Sequence, residues 1–338
     1  MAHLRVMQPG LGDDVRPALQ RALDAVAADG GGEVVLPPGD WPYDGIVIVR
    51  DRTTLRGTGG ARLIPRDPKR SAIHLQGEYP AIREVLLDGT AEHRDSAGDA
   101  TGIRLLRSRG AEVVGVRVRR TAAAGVFIQR SEHFRISGCT VHDGFADGFH
   151  VTAGSRFGQI TGCQSYDNGD DLFALVGYEK DRALVEHITI TGNIGRNGRA
   201  RGIAILGARF VAVHANTIQG TRAAGIYLHQ ETRYVTYAPS RIALVGNVLE
   251  DVSREVRHAG IYIGGAEGVT HLADGVAVAN GIEDVILSGN LLDGSGHDGL
   301  YVSPHATGVA GTGNRLRRIR RAPIRIEAED ATLEAVAG

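Results

Sequence analysis

The chain has 338 residues, a net charge of −1, 47 glycines and only 5% aromatic residues. That balance argues against a nucleic-acid or membrane-surface binder, and the length allows a large buried core. No run nears the roughly 18 apolar residues of a spanning helix, and the opening MAHLRVMQPGLGDD lacks the apolar core and cleavage site of a secretory signal. The expected compartment is therefore the cytoplasm, with secretion the alternative if a signal segment has been removed. Cys139 and Cys163 are too few to staple a domain this size and are read as free thiols.

In chain order, the first element is a helix over about residues 13–29. Asp13 or Asp14 is placed to cap it, Pro17 falls in its first turn, and Val15, Leu19, Leu23 and Val26 share one face. It is expected to cover the open N-terminal end of the coils that follow, over about residues 33–328, the whole chain forming one domain.

A Gly-apolar-x-apolar unit then recurs at Gly102, Gly125, Gly148, Gly202, Gly225, Gly260 and Gly299. The spacing from 102 to 125 to 148 is 23 each time, and a further 23 lands on Asp171; later spacings are longer. A second unit runs in step and ends in a turn at Cys139, Cys163, Asn193, Asn216, Asn247, Asn290 or Asn314. Two short alternating strands and a polar turn per repeat, with Asn stacked on Asn, predict an all-β solenoid that buries its apolar alternates: a right-handed parallel β-helix. Leucine-rich repeats have similar lengths, but their leucine spacing is absent. The entry segments GGEVVLPPGDWPY and TTLRGTGGARLI resemble those of the pectate-lyase-like β-helix superfamily, in which a capping helix precedes the first coils.

Alternation across a strand sends the x residue outward. That row reads Arg104, Phe127, His150, Phe173, Ala204, Tyr227, Tyr262 and Tyr301, an aromatic ribbon suited to stacking on sugar rings, or else packing beneath overlying loops. The row before the glycine holds Asp147, Asp170, Arg201 and Asp298, and Asp171 takes the glycine position itself. Asp147, Asp170 and Asp171 are thus expected to converge within one coil spacing. There, like charges raise at least one pKa and divide acid and base roles.

The stretch from Asp147 to Gly207 resembles the family-28 glycoside hydrolases, the polygalacturonases and their relatives. FADG, residues 145–148, and GDD, residues 169–171, stand where that family has Asn-Thr-Asp-Gly and Gly-Asp-Asp. The resemblance implies Asp170 as general acid, Asp147 and Asp171 as the pair that activates water, and inversion at the anomeric carbon. Inversion asks for about 6.5–9.5 Å between acid and base. Phe145 and Ala146 replace the Asn-Thr pair, and Arg201 replaces the family's Gly-His-Gly histidine. Tyr227 and His229 replace the Arg/Lys pair that holds a uronate carboxylate, so a neutral or differently decorated sugar fits better.

Insertions at 177–186, 230–240 and 265–283 leave one corner of successive coils and are expected to wall the ribbon. Candidate substrate-binding residues are Phe127, His150, Phe173, Arg201, Tyr227, His229, Glu231 and Tyr262. His258 and His297 are expected as a surface pair, no Cys/His spacing completes a zinc site, and no cofactor is called for. The arginines at 315, 317, 318, 320 and 321 read as a solvated end coil or a subunit contact. The leading function is an inverting glycosidase acting on an oligo- or polysaccharide. The alternatives are a lyase or epimerase, with Ca²⁺ held by the three aspartates, and a non-catalytic glycan-binding or structural solenoid. Oligomeric state is left open.

Overall fold

The computed structural model describes residues 3–8, 14–265, 271–273, 276–278 and 280–337. They divide into two units, residues 1–150 with 156–164, and residues 151–155 with 165–338. Each is built from parallel strands stacked coil upon coil. Among the described residues no helix is long and apolar enough to cross a membrane.

The first unit opens with the expected helix, Arg16–Ala28, whose Leu19, Leu23 and Val26 are fully buried. Its first residues are held differently from expectation. The N-cap position is Val15, and the Asp14 carboxylate accepts the Arg16 N–H at 3.0 Å; Asp13 lies outside the described residues. The helix packs on strands Gly32–Leu36 and Val47–Val49. Three rows of parallel strands follow. One runs Val47–Val49, Ile73–Glu78, Ile103–Arg109, Val126–Gln129, and its x column reads Ile48, His74, Arg104, Phe127.

The second unit repeats the plan. Its first row is Phe173–Val176, Ile203–Leu206, Ile226–His229, Ile261–Gly264, Leu300–Val302 and Ile324–Ile326. Ile203, Ile226, Ile261 and Leu300 align in one buried column, and Ile205, Leu228, Ile263 and Val302 in the next. Each coil carries three strands where sequence periodicity suggests two, because strands such as Ile194–Arg196 are too short to display alternation. The turn ladder is present: Asn193, Asn216, Asn247, Asn290 and Asn314 are buried, each side-chain oxygen from Asn216 onward accepting from the asparagine one coil before. Cys139 and Cys163 are buried free thiols.

One expectation of register is corrected. Phe173 pairs with Ile203 and Ala174 with Ala204, so Leu172 rather than Asp171 lines up with Gly202. The 23-residue count slips by one at this rung, and a slip of one sends each side chain to the opposite face. Phe173 is therefore core, fully buried, and not part of an exposed ribbon; Ala174 takes the outward place. The slip is accommodated because Gly195 and Gly198 leave room for Leu172. A Cβ on either would come within 2.8 or 3.0 Å of its side chain. Gly202 keeps its identity for a similar reason, an added Cβ lying 2.4 Å from the Gly225 carbonyl.

Candidate functional site

In the first unit, the outward column ends in a polar and aromatic group. The Asp147 carboxylate and His150 Nδ1 share a 2.6 Å hydrogen bond, both side chains mostly buried. The Phe127 ring lies 5.2 Å from the imidazole, and the Arg104 guanidinium sits 5.8 Å from the Phe127 centroid. Arg104 also donates to Asp99 at 2.9 Å and Gln129 at 2.6 Å, while His74 shares a hydrogen bond with Asp99 at 3.1 Å. Burial holds the His74 pKa below the usual histidine value, with Asp99 pulling the other way. Sequence reasoning missed His74 because its rung, AIHL, lacks the glycine that marks the others. Its position one coil before Arg104 was the available signal.

In the second unit, Asp171 is 3% exposed and accepts two hydrogen bonds at one oxygen, from the Arg201 backbone N–H at 2.9 Å and its Nε at 2.7 Å. The same guanidinium donates Nη1 to Glu231 at 2.5 Å and lies 4.8 Å over the Tyr227 ring. Burial opposes the arginine's charge. Asp171 and then Glu231 outweigh that, so its pKa stands above the ordinary arginine value. Arg201, expected among the substrate-binding residues, is held in this internal network. Asp170 is half-buried immediately before Asp171.

Tyr227 is 4% exposed, so the reading in which the row packs beneath loops holds here. It clusters with Ala174, Val176, Leu206 and Ala224, and Tyr178 and Tyr262 pack against it. The covering loops are tied together: Tyr178 and Thr236 form an antiparallel bridge, and the Tyr237 N–H donates to the Gly177 carbonyl at 3.0 Å. Part of the third insertion, 265–283, falls outside the described residues; its strands His271–Ala273 and Val276–Val278 pair antiparallel. Burial raises the Tyr227 pKa, Glu231 adding to it, so the hydroxyl is a proton donor across the physiological range.

The aromatic stack continues along the row. Tyr227 and Tyr262 stack at 5.2 Å, Tyr262 and Tyr301 meet at 5.0 Å, and Arg325 lies 4.2 Å over Tyr301. Tyr301 donates to Glu327 at 2.7 Å, and burial followed by that bond pushes its pKa to about 12. His229 hydrogen-bonds the Gly264 carbonyl through Nδ1, and burial lowers its pKa. His258 is not half of a surface imidazole pair. It stacks on Tyr227 at 4.9 Å, and burial, then Arg201, push its pKa to about 4. His297 is itself buried beside Asp298, 3.3 Å away.

Asp147, His150 and Phe127 thus meet in one unit, and Asp171, Arg201, Glu231, Tyr227, His229 and Tyr262 in the other. Phe173 joins neither group. Paired carboxylates, a buried guanidinium and imidazoles of lowered pKa supply proton acceptors, proton donors and flat apolar faces.

The profile of the family described as "Right handed beta helix region" matches residues 101–316, and the chain belongs to that family. Of curated proteins, mannuronan C5-epimerase AlgE6 of Azotobacter vinelandii is 34% identical over 97 residues, 24% of this chain and 11% of that protein. The chain therefore spans only a small part of that relative. Among solved structures, the A-module of the same epimerase superposes with a TM-score of 0.66 at 18% identity, covering 96% of this chain and 95% of the module. An exopolygalacturonase from Thermotoga maritima gives 0.71 at 15%, covering 96% and 88%. The catalytic unit of a GH87 α-1,3-glucanase from Streptomyces thermodiastaticus gives 0.72 at 18%, covering 99% and 65%. At these identities the structural likeness shows the fold.

Proposed function

We propose that the chain is a carbohydrate-active enzyme that hydrolyses a glycosidic bond with Asp147, Asp170 and Asp171. Asp170 is the general acid, and Asp147 with Asp171 orients and activates water, the assignment the polygalacturonase resemblance implies. The observation that carries the reading is the bonding of Asp171. A buried carboxylate receiving two donors from one arginine is favoured in its ionised form, the form a water-activating group needs. The hydrogen bond from His150 gives Asp147 a fixed orientation for the same task.

The substrate class is an oligo- or polysaccharide of neutral or modestly decorated sugars. Arg201 is already engaged by Asp171 and Glu231, so its charge is spent inside the protein and is a poor match for a uronate carboxylate. The fold likeness to an α-1,3-glucanase and an exopolygalacturonase agrees with a glycosidase on this scaffold.

A second reading is C5-epimerisation or β-elimination on a polyuronate. It is favoured by the 34% identity to a mannuronan C5-epimerase over 97 residues and by the Asp147 and His150 pair, which has the makings of a proton-abstracting base. In that case the three aspartates are of the kind and number that a hard cation such as Ca²⁺ takes. A reducing-end release screen over neutral and uronate glycans separates the two. Hydrolysis releases reducing ends without chelator sensitivity and is lost in Asp170→Asn; elimination gives an unsaturated product absorbing in the ultraviolet. Proton NMR of the first-formed anomer reads the stereochemical course.

A further inference from the structure

A cavity of about 230 Å³ in the second unit has neither Asp171, Arg201, Glu231 nor Tyr227 in its lining and plays no part in the function above. Ser253, Arg254, Arg257, His297, Arg320 and Arg321 line it. Four guanidinium side chains therefore border one small polar hollow, and none of the four has an ion pair with a described carboxylate. Glu255, which also borders it, is paired with Arg222 at 3.2 Å on its own account. Like charges that share one hollow repel, and an anion among them relieves that repulsion.

The second observation is Ser253, one of the residues that line the hollow. Ser253 is 2% exposed, and its hydroxyl oxygen is buried without any hydrogen-bond partner. A buried hydroxyl left unpaired costs free energy, and native structures rarely keep one without a reason. Its backbone is in the left-handed region, φ 55°, a conformation held at some cost in a non-glycine residue. His297 adds an imidazole to the wall. Burial lowers its pKa, Asp298 works the other way, and Arg321, Arg325 and Arg257 lower it further, so an anion in the hollow would bring it back up.

We propose that this hollow is a binding site for a tetrahedral oxyanion of the phosphate or sulfate class, either free or as an ester on a sugar. A carboxylate is satisfied by a single bidentate guanidinium, whereas several arginines, a hydroxyl and an imidazole match a group with three or four oxygens and two charges. Ser253 donates its hydroxyl to the anion, Arg257 and Arg321 supply charge-assisted hydrogen bonds, and none of the proposed catalytic aspartates lines the site.

The test is a calorimetric titration of the whole chain with inorganic phosphate at ionic strength held constant by sodium chloride, with the His297 imidazole resonances followed by NMR. Expected are saturable binding and a rise in the His297 pKa. Arg257→Gln with Arg321→Gln should weaken binding by at least about tenfold. Ser253→Ala should weaken it by about two- to tenfold, and Arg135→Gln, an exposed arginine outside the hollow, by nothing. Tighter binding of glucose 6-phosphate than of phosphate identifies a sugar ester as the source, and the reverse a free anion; both support the site. Absence of saturable binding, equal binding by the double variant, or glucuronate binding as well as phosphate would overturn the proposal. Both replaced arginines are exposed, so unchanged thermal unfolding of the double variant without phosphate shows that loss of binding is not loss of fold.

Discussion

Arg201→Met removes one guanidinium and leaves two carboxylates behind. Asp171 is bonded to it at 2.7 Å and Glu231 at 2.5 Å, with side chains 4% and 13% exposed beside an arginine 16% exposed. At such burial the relevant magnitude is not the ~0–1 kcal/mol of a surface ion pair but the ~3–5 kcal/mol of breaking a buried one, since each stranded carboxylate loses its compensation. The backbone N–H of Arg201 still serves Asp171, and the methionine retains contact with the Tyr227 ring, which places the expected loss toward the lower end, about 3 kcal/mol. Urea unfolding followed by near-ultraviolet circular dichroism of the tyrosines measures it. Adding Asp171→Asn and Glu231→Gln removes the stranded charges and should recover most of the loss. A loss under about 1 kcal/mol for Arg201→Met, or a triple variant no more stable than the single one, would refute the network as a buried, mutually compensated unit.

Three further outcomes are expected. Asn247→Ala strips partners from the Val213 carbonyl, the Asn216 amide and Asn290, all buried, and should destabilise by about 3 kcal/mol in urea unfolding. Phe173→Ala should cost about 3–5 kcal/mol, as a core residue does, whereas an exposed ribbon residue would cost within about 0.5 kcal/mol. His258 has a folded pKa of about 4 against an ordinary 6.5, so the unfolded chain binds the extra proton between those values. Stability contributed by the neutral ring is full above 6.5 and falls as pH drops toward 4. His258→Phe should flatten that decline, seen as unfolding midpoints compared at pH about 7 and about 5.

The parts legible in the sequence were those marked residue by residue. At Gly102, Gly125, Gly202, Gly260 and Gly299 a Cβ would strike its surroundings at 2.7 Å or less, and the turn asparagines from Asn193 to Asn290 each bond to the next, so both recur visibly in the chain. The helix was legible for the same reason, its apolar face having a fixed period. Where the marker is missing, the register was lost. Leu172 replaces the glycine, and Leu172 and Phe173 are both apolar and both buried, so only the pairing of Phe173 with Ile203 reveals which one takes the place of the first apolar residue of the rung. His74 escaped notice for want of the same glycine. The burial of Tyr227 was one of two readings the row allowed, and alternation within a strand does not choose between them: it depends on loops 177–186 and 230–240 closing over the row, a tertiary event.

Glycan hydrolysis in ¹⁸O-labelled deuterium oxide, with wild type and Asp170→Asn compared by mass spectrometry and binding measured alongside, tests the central claim most directly. The account predicts one labelled oxygen in each new reducing end, a fall in turnover of about 10²–10⁴ in the variant, and retained substrate binding. Solvent deuterium appearing at a sugar carbon without chain cleavage, or an Asp170→Asn variant as active as wild type, would contradict it.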